Sequence, residues 1–378
     1  MPASRESRVR YWLRCLSSNP CHAMSQKNIK TAETNAAQML PMAALDAYLY
    51  ANLPGWSGLI AAEKFSGGQS NPTYKLETAT QTLVLRRKPP GTLLPSAHAV
   101  DREYRVLKAL HGQGVPVAQP ILLCLDESVL GSMFYLMEYL PGRIFWNPAL
   151  PEQDASDRSA IYFEIAEVLA ALHRVNPNEV GLADYGRPGD YFQRQLNRWQ
   201  QQFSQSELVP MPEMHALHHA LMANAPLDDG QVALVHGDFR IDNLIFHPSE
   251  LRVQAIVDWE LSTLGHPIAD AAYFAMALRL PRNPALPGLA GLDRAELGIP
   301  SEEAWLMHYL SHANLKNTDA LIERWPWYLA FNFYRLAAIA QGVKKRAALG
   351  NASHARANEV GEMVGMLAGL GLAQLKLG

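Results

Sequence analysis

Short apolar runs broken by polar turns fill residues 59–139, and runs of helical period fill most of the chain from there to its end. The first pattern predicts strands at 59–65, 73–77, 82–87, 121–125 and 133–139, with one helix over 96–110. Beyond Pro141-Gly142 the spacing predicts helices over 157–174, 191–203, 214–224, 268–280, 302–311, 319–349 and 357–375. Short apolar runs at 231–235, 244–246 and 253–257 interrupt that series and read as buried strands. The expectation is an α+β chain of two lobes. A small antiparallel sheet with one helix spans 25–140, a larger and mainly helical lobe spans 141–378, and the hinge falls near 138–142. Residues 1–24 read as a disordered extension, because Arg5, Arg8, Arg10 and Arg14 stand against Glu6 without an apolar pattern, and Met24 offers a second start.

Two of the short strands frame the richest chemistry in the chain. Val235-His236-Gly237-Asp238-Phe239-Arg240-Ile241-Asp242-Asn243 is followed fifteen residues after Asn243 by Asp258-Trp259-Glu260. Gly237 permits a tight turn beside polar side chains. Pairing between 244–246 and 253–257 as a hairpin would return Asp258 to the neighbourhood of Asn243. Magnesium takes oxygen ligands and usually only one or two from protein. Asn243 and Asp258 supply that number, and Asp238 is left to orient a hydroxyl and accept its proton during phosphoryl transfer from ATP. Glu260 adds a further carboxylate near the metal position.

The H-G-D-F-R-x-D-N and D-W-E segments resemble those of the aminoglycoside phosphotransferase and choline kinase-like family, which shares the protein kinase fold. The resemblance is nearer still to the kinase-like domain fused to some acyl-CoA dehydrogenases, and it covers roughly residues 40 to 375. It implies a two-lobed kinase-like fold, and ATP and Mg2+ as cofactors. It also implies that the Gly-rich turn holding Gly67, Gly68, Ser70 and Asn71 contacts phosphate. Val84 and Arg86 then share the strand face that lines the nucleotide, with arginine where the kinase pattern has lysine. Glu103 falls on the apolar side of its helix with Val100, Leu107 and Leu110, where a carboxylate is costly unless paired. Arg86 is its expected partner. Glu138 and Tyr139 would run along the adenine edge, and Asp270 would satisfy backbone amides near the catalytic loop.

Composition narrows the partners. A net charge of −3 argues against general attraction to nucleic acid or membrane surfaces, and no uninterrupted apolar run has bilayer-spanning length. Three cysteines give no disulfide framework and suit a reducing cytoplasm. The acceptor, a small molecule with a hydroxyl group, should bind in the helical lobe, where Trp305, Tyr309, Trp325, Trp327, Tyr328, Phe331, Phe333, Tyr334 and Arg335 concentrate. Arg279, Arg282, Arg324 and Arg335 favour an acceptor with an apolar chain and an anionic end over a polycation. The branch resemblance implies a hydroxyacyl compound or its CoA thioester. An aminoglycoside- or choline-type kinase and a non-catalytic nucleotide-binding module remain the alternatives. His215, His218, His219, His308 and His312 have helical spacing but no H-E-x-x-H or cysteine cluster, so no metal role is assigned to them.

Overall fold

Period-two alternation builds one antiparallel sheet from β1 (Leu59–Lys64), β2 (Thr73–Thr78), β3 (Thr82–Arg87), β4 (Pro120–Cys124) and β5 (Phe134–Glu138), in the order β1-β2-β3-β5-β4. The computed structural model describes residues 40–65, 71–89, 99–187, 189–283, 286–349 and 357–376. The expected extension at 1–24, and Gly67, Gly68 and Ser70 of the Gly-rich turn, lie outside the described residues. Met42–Gly378 forms one compact unit that contains both lobes. The central strand is β3, with Arg86 opposite Thr73 on one side and Tyr135 on the other. In the sheet lobe, α1 (Met42–Asn52) precedes β1, α2 (Val100–Leu110) packs on β4 and β5, and the short α3 (Glu127–Leu130) joins those two strands. Burial along α2 follows the predicted wheel, taking in Val100, Glu103, Val106, Leu107 and Leu110.

The helical lobe opens with α4 (Ala155–Arg174), α5 (Tyr191–Ser206) and α6 (Pro212–Ala223). Short strands come next: β6 (Ala233–Val235), β7 (Leu244–Phe246), β8 (Val253–Ile256) and β9 (Thr263–Gly265). The chain then runs through α7 (Ile268–Met276), α8 (Arg294–Leu297), α9 (Glu302–Ala313), α10 (Thr318–Glu323), α11 (Trp325–Ala348), α12 (Ala357–Glu362) and α13 (Val364–Leu375). Among them α11 is central, packed by α5, α7 and α13.

The kinase-like two-lobed architecture stands, with several local differences. The single helix expected over 319–349 is two, α10 and α11, separated at Arg324. Pro326 explains the break, since it offers no N–H and its ring crowds the carbonyl four residues earlier, so it sits in the first turn of a new helix. The helix expected over 357–375 divides at Met363. Four elements carry too little pattern to be expected: α1, the short helices α3 and α8, and β9, which pairs with β6 through Leu234 and Leu264. The aromatic group, which sequence leaves open between core packing and an acceptor pocket, is core. Trp305, Tyr309, Phe331, Phe333 and Tyr334 are fully buried, and Trp325, Trp327 and Tyr328 nearly so.

Candidate active site

The loop after β6 is fastened from beneath by one buried carboxylate. Asp270, near the start of α7, accepts the backbone N–H of His236 at 2.6 Å and that of Gly237 at 2.9 Å. Behind it stands His173, 3.4 Å away through one ring nitrogen, while the other ring nitrogen meets the Tyr309 hydroxyl at 2.7 Å. Burial by itself would raise the Asp270 carboxyl, but His173, His236 and the Gly237 amide hold it below its ordinary value. Gly237 has φ +82, and a Cβ there would lie 2.5 Å from the Leu261 carbonyl oxygen, so the turn requires glycine. His236 donates from Nε2 to the Val257 carbonyl at 2.9 Å and accepts the Asp238 amide on Nδ1 at 3.1 Å, which fixes its tautomer.

Asp238 therefore leaves the loop on a rigid backbone, and both of its carboxylate oxygens are addressed. Tyr273 donates to Oδ1 at 2.7 Å, and the Asn243 amide nitrogen donates to Oδ2 at 3.0 Å and to the Asp238 carbonyl at 2.9 Å. With its nitrogen committed, Asn243 presents its amide oxygen elsewhere. The β7–β8 hairpin pairs Leu244 with Ile256, and the Val257 amide donates to the Asn243 carbonyl at 3.0 Å. That pairing delivers Asp258, in the left-handed region at φ 68, to the same end. A non-glycine residue held there marks a site that the surrounding structure constrains.

Arg86 joins the two lobes. Its Nε lies 2.8 Å from Glu103 Oε2 and its terminal nitrogen 2.6 Å from Asp258 Oδ1. Glu103 also accepts Asn71 Nδ2 at 2.7 Å and the Tyr135 hydroxyl at 3.2 Å. Burial pushes the Glu103 carboxyl up to about 7, against the opposing pull of Arg86. Burial would lower Arg86, but Glu103, Tyr135, Asp258 and Glu260 hold it above its ordinary value. Asn71, assigned by resemblance to phosphate contact, is wholly buried beneath this pair and orients Glu103. Val84 lies two residues from Arg86 on the same strand face, and Glu138 ends β5 opposite Leu83, with Tyr139 directly after it. The donor set suits a hard cation: the Asn243 amide oxygen and the Asp258 carboxylate are oxygen ligands of the kind magnesium takes from protein.

Two residues of this constellation escape the sequence argument. Tyr273 sits three residues after Asp270, so one helix turn directs both side chains at the loop after β6, a spacing visible in the sequence. Arg335, grouped in sequence with an acceptor surface, donates to the Gly237 carbonyl and lies 5.0 Å from the Tyr273 ring centre. Arg279 is likewise engaged, pairing with Glu302 at 2.8 Å and Gln374 at 2.7 Å. His308 meets Glu167 at 2.9 Å, His312 meets the His308 carbonyl at 2.8 Å, and the ligand atoms of Glu167, His308 and His312 lie within 4.8 Å of one another. An apolar recess of about 40 Å³ opens beside the loop after β6, between Arg240, Ile241, Tyr273, Leu286 and Trp146.

Comparison with known proteins supplies the family and the fold. The family model described as the phosphotransferase enzyme family (APH) matches residues 61–309. The chain is 44% identical over 342 residues to mouse acyl-CoA dehydrogenase family member 10, covering 90% of this chain and 32% of that protein. It is 41% identical over 332 residues to human acyl-CoA dehydrogenase family member 11, covering 85% and 42%. The chain thus spans less than half the length of these curated relatives. A solved Ralstonia eutropha structure, named as an aminoglycoside phosphotransferase, aligns with a TM-score of 0.79 at 42% identity, over 89% of this chain and 99% of that one. At 13% identity and a TM-score of 0.58, over 87% of this chain and 97% of that one, spectinomycin phosphotransferase in complex with ADP and spectinomycin shares the fold. Among the described residues no helix is long and apolar enough to cross a membrane. By its matched span and its relatives, the chain belongs to the APH phosphotransferase family.

Proposed function

We propose that this protein transfers the γ-phosphoryl group of ATP to the hydroxyl of a small acyl-type acceptor in the cytoplasm. One observation carries the reading: Asp238 is held by Tyr273 and Asn243 while the β7–β8 hairpin returns Asp258 beside them. Asn243 and Asp258 would hold Mg2+, which when bound screens the charge of the phosphates. Asp238 orients the acceptor hydroxyl and takes its proton as the oxygen bonds to phosphorus and ADP departs. Arg86, steadied by Glu103, addresses the α- and β-phosphates from the opposite lobe, with Gly67, Gly68 and Ser70 and the strand positions Val84, Glu138 and Tyr139 completing the nucleotide site. The apolar recess beside Tyr273, rimmed by the largely exposed Trp146, suits an acyl chain, and the kinship to acyl-CoA dehydrogenase family members supports a hydroxyacyl compound or its CoA thioester.

The test is an ADP-release screen with MgATP against hydroxyacyl compounds, amino sugars and amino alcohols, run beside thermal unfolding with MgATP. Turnover on hydroxyacyl compounds and a raised melting temperature are expected. Activity confined to cationic alcohols would overturn the acceptor. A raised melting temperature with no ADP release on any acceptor would make the protein a nucleotide-binding module.

Glu103→Gln separates positioning from chemistry. Glutamine keeps the shape of the side chain but withdraws its charge from Arg86, which is then drawn toward Asp258 and Glu260. Efficiency with respect to ATP should fall about tenfold to a hundredfold, through a higher KM for ATP. An unchanged KM would show that Arg86 does not work on the nucleotide.

A further inference from the structure

A second group of side chains beside the loop of Asp238 is rich in donors and has no acidic partner among the described residues. Arg198 on α5 places its guanidinium carbon 5.3 Å from the centre of the Trp199 ring, and Arg335 on α11 places its own 5.5 Å from the same ring. Among the described residues neither guanidinium has a carboxylate partner, and the hydrogen bond of Arg335 goes to the neutral Gly237 carbonyl. Trp199 adds a buried indole N–H that has no hydrogen-bond partner among the described residues. Arg198 is exposed to solvent yet closely surrounded, and burial together with the Arg335 charge lowers its pKa.

Two like charges brought together without a counter-charge repel each other, and that cost is offset when an anion sits between them. Guanidinium is suited to such an anion, since its planar fork matches carboxylate and phosphate oxygens. The position ties the pair to the reaction. Arg335 also lies 5.0 Å from the ring of Tyr273, whose hydroxyl bonds Asp238. An anionic group held here is within one small molecule's reach of the base.

We propose that Arg198 and Arg335 form the anion subsite of the acceptor site and hold a carboxylate or phosphate of the acceptor while its hydroxyl faces Asp238. The assignment rests on the phosphotransferase function proposed for the site, and it makes Arg198 the residue that selects acidic acceptors. Arg335 is tied to the catalytic loop and its replacement would disturb that loop, so Arg198→Gln is the informative variant.

The full-length wild type and Arg198→Gln are compared with MgATP and three acceptors of one chain length: a free 3-hydroxyalkanoate, its CoA thioester and its neutral methyl ester. For the anionic acceptor the KM of the variant should rise about tenfold or more, with kcat and the KM for ATP unchanged. The methyl ester should show the same KM with both proteins. A rise with the free acid identifies a carboxylate as the group held, and a rise with the thioester identifies its phosphates. Equal KM values for wild type and variant on every acceptor would overturn the subsite. If the wild type consumes none of the three, the hydroxyacyl reading fails and the subsite is judged by binding. Calorimetry of the free acid and the thioester against protein saturated with MgADP should then show at least tenfold weaker binding to the variant. Equal affinity, or binding to neither protein, would overturn it.

Discussion

Asp238→Asn should lower kcat by about three orders of magnitude while leaving the protein folded and able to bind nucleotide. Asparagine keeps the size and plane of the carboxylate, so Tyr273 can still donate to its oxygen. The cost lies on the other branch, where an amide nitrogen would meet the Asn243 nitrogen that now donates to Oδ2. Losing that one bond should cost about 1 kcal/mol of stability, too little to unfold the protein. What the variant lacks is any site for the proton of the acceptor hydroxyl. ADP release at saturating acceptor, thermal unfolding, and the melting-temperature shift with MgADP together resolve the case. A kcat within tenfold of wild type would remove Asp238 as the base. A collapse of the MgADP shift would instead place it in nucleotide binding.

How far the sequence reaches can be judged from the same loop. Asp238, Asn243 and Asp258 are legible because their spacing brackets a hairpin, and short apolar strands on either side set its register. Glu103 is legible because a carboxylate on an apolar helix face demands a partner, and the structure gives it Arg86 at 2.8 Å. That same logic misses what comes from far along the chain. Arg335 approaches Gly237 across 98 positions, and no local pattern separates an arginine that caps a catalytic loop from one on a solvated face. Asn71 is misplaced by sequence for a related reason. Its position after glycines points to a phosphate turn, but the sheet buries it under the ion pair, where its amide supports Glu103. The aromatic stretch of α11 fails as a pocket because side-chain size says nothing of whether a neighbour fills the space, and here α5, α7 and α13 fill it. Pro326 is a legible signal that the periodicity overrides, since a proline seven residues into 319–349 argues for a new helix start.

Asp270→Asn should destabilise the protein by about 3 kcal/mol and lower kcat by about a hundredfold at temperatures where the variant remains folded. The side chain keeps its volume, so no cavity contributes. What changes is the match between donors and acceptors. Asp270 gives one oxygen to the His236 amide and the other to the Gly237 amide, with His173 closing the first. Asparagine has a single acceptor oxygen, so its nitrogen must face one of those buried N–H groups and leave it unsatisfied. The loop that aims Asp238 would then shift, although residue 270 touches no reacting atom. Acid supplies an independent check. The folded Asp270 carboxyl sits below its unfolded value of about 3.9, so its stabilising contribution is complete above that pH and fades as the pH falls toward the folded value. The asparagine variant has nothing to titrate there, and the stability gap between the two proteins should narrow with acid. Denaturant midpoints measured between neutral pH and pH 3 carry both results. A variant whose midpoint matches wild type at neutral pH would show that the loop is held by something other than this carboxylate.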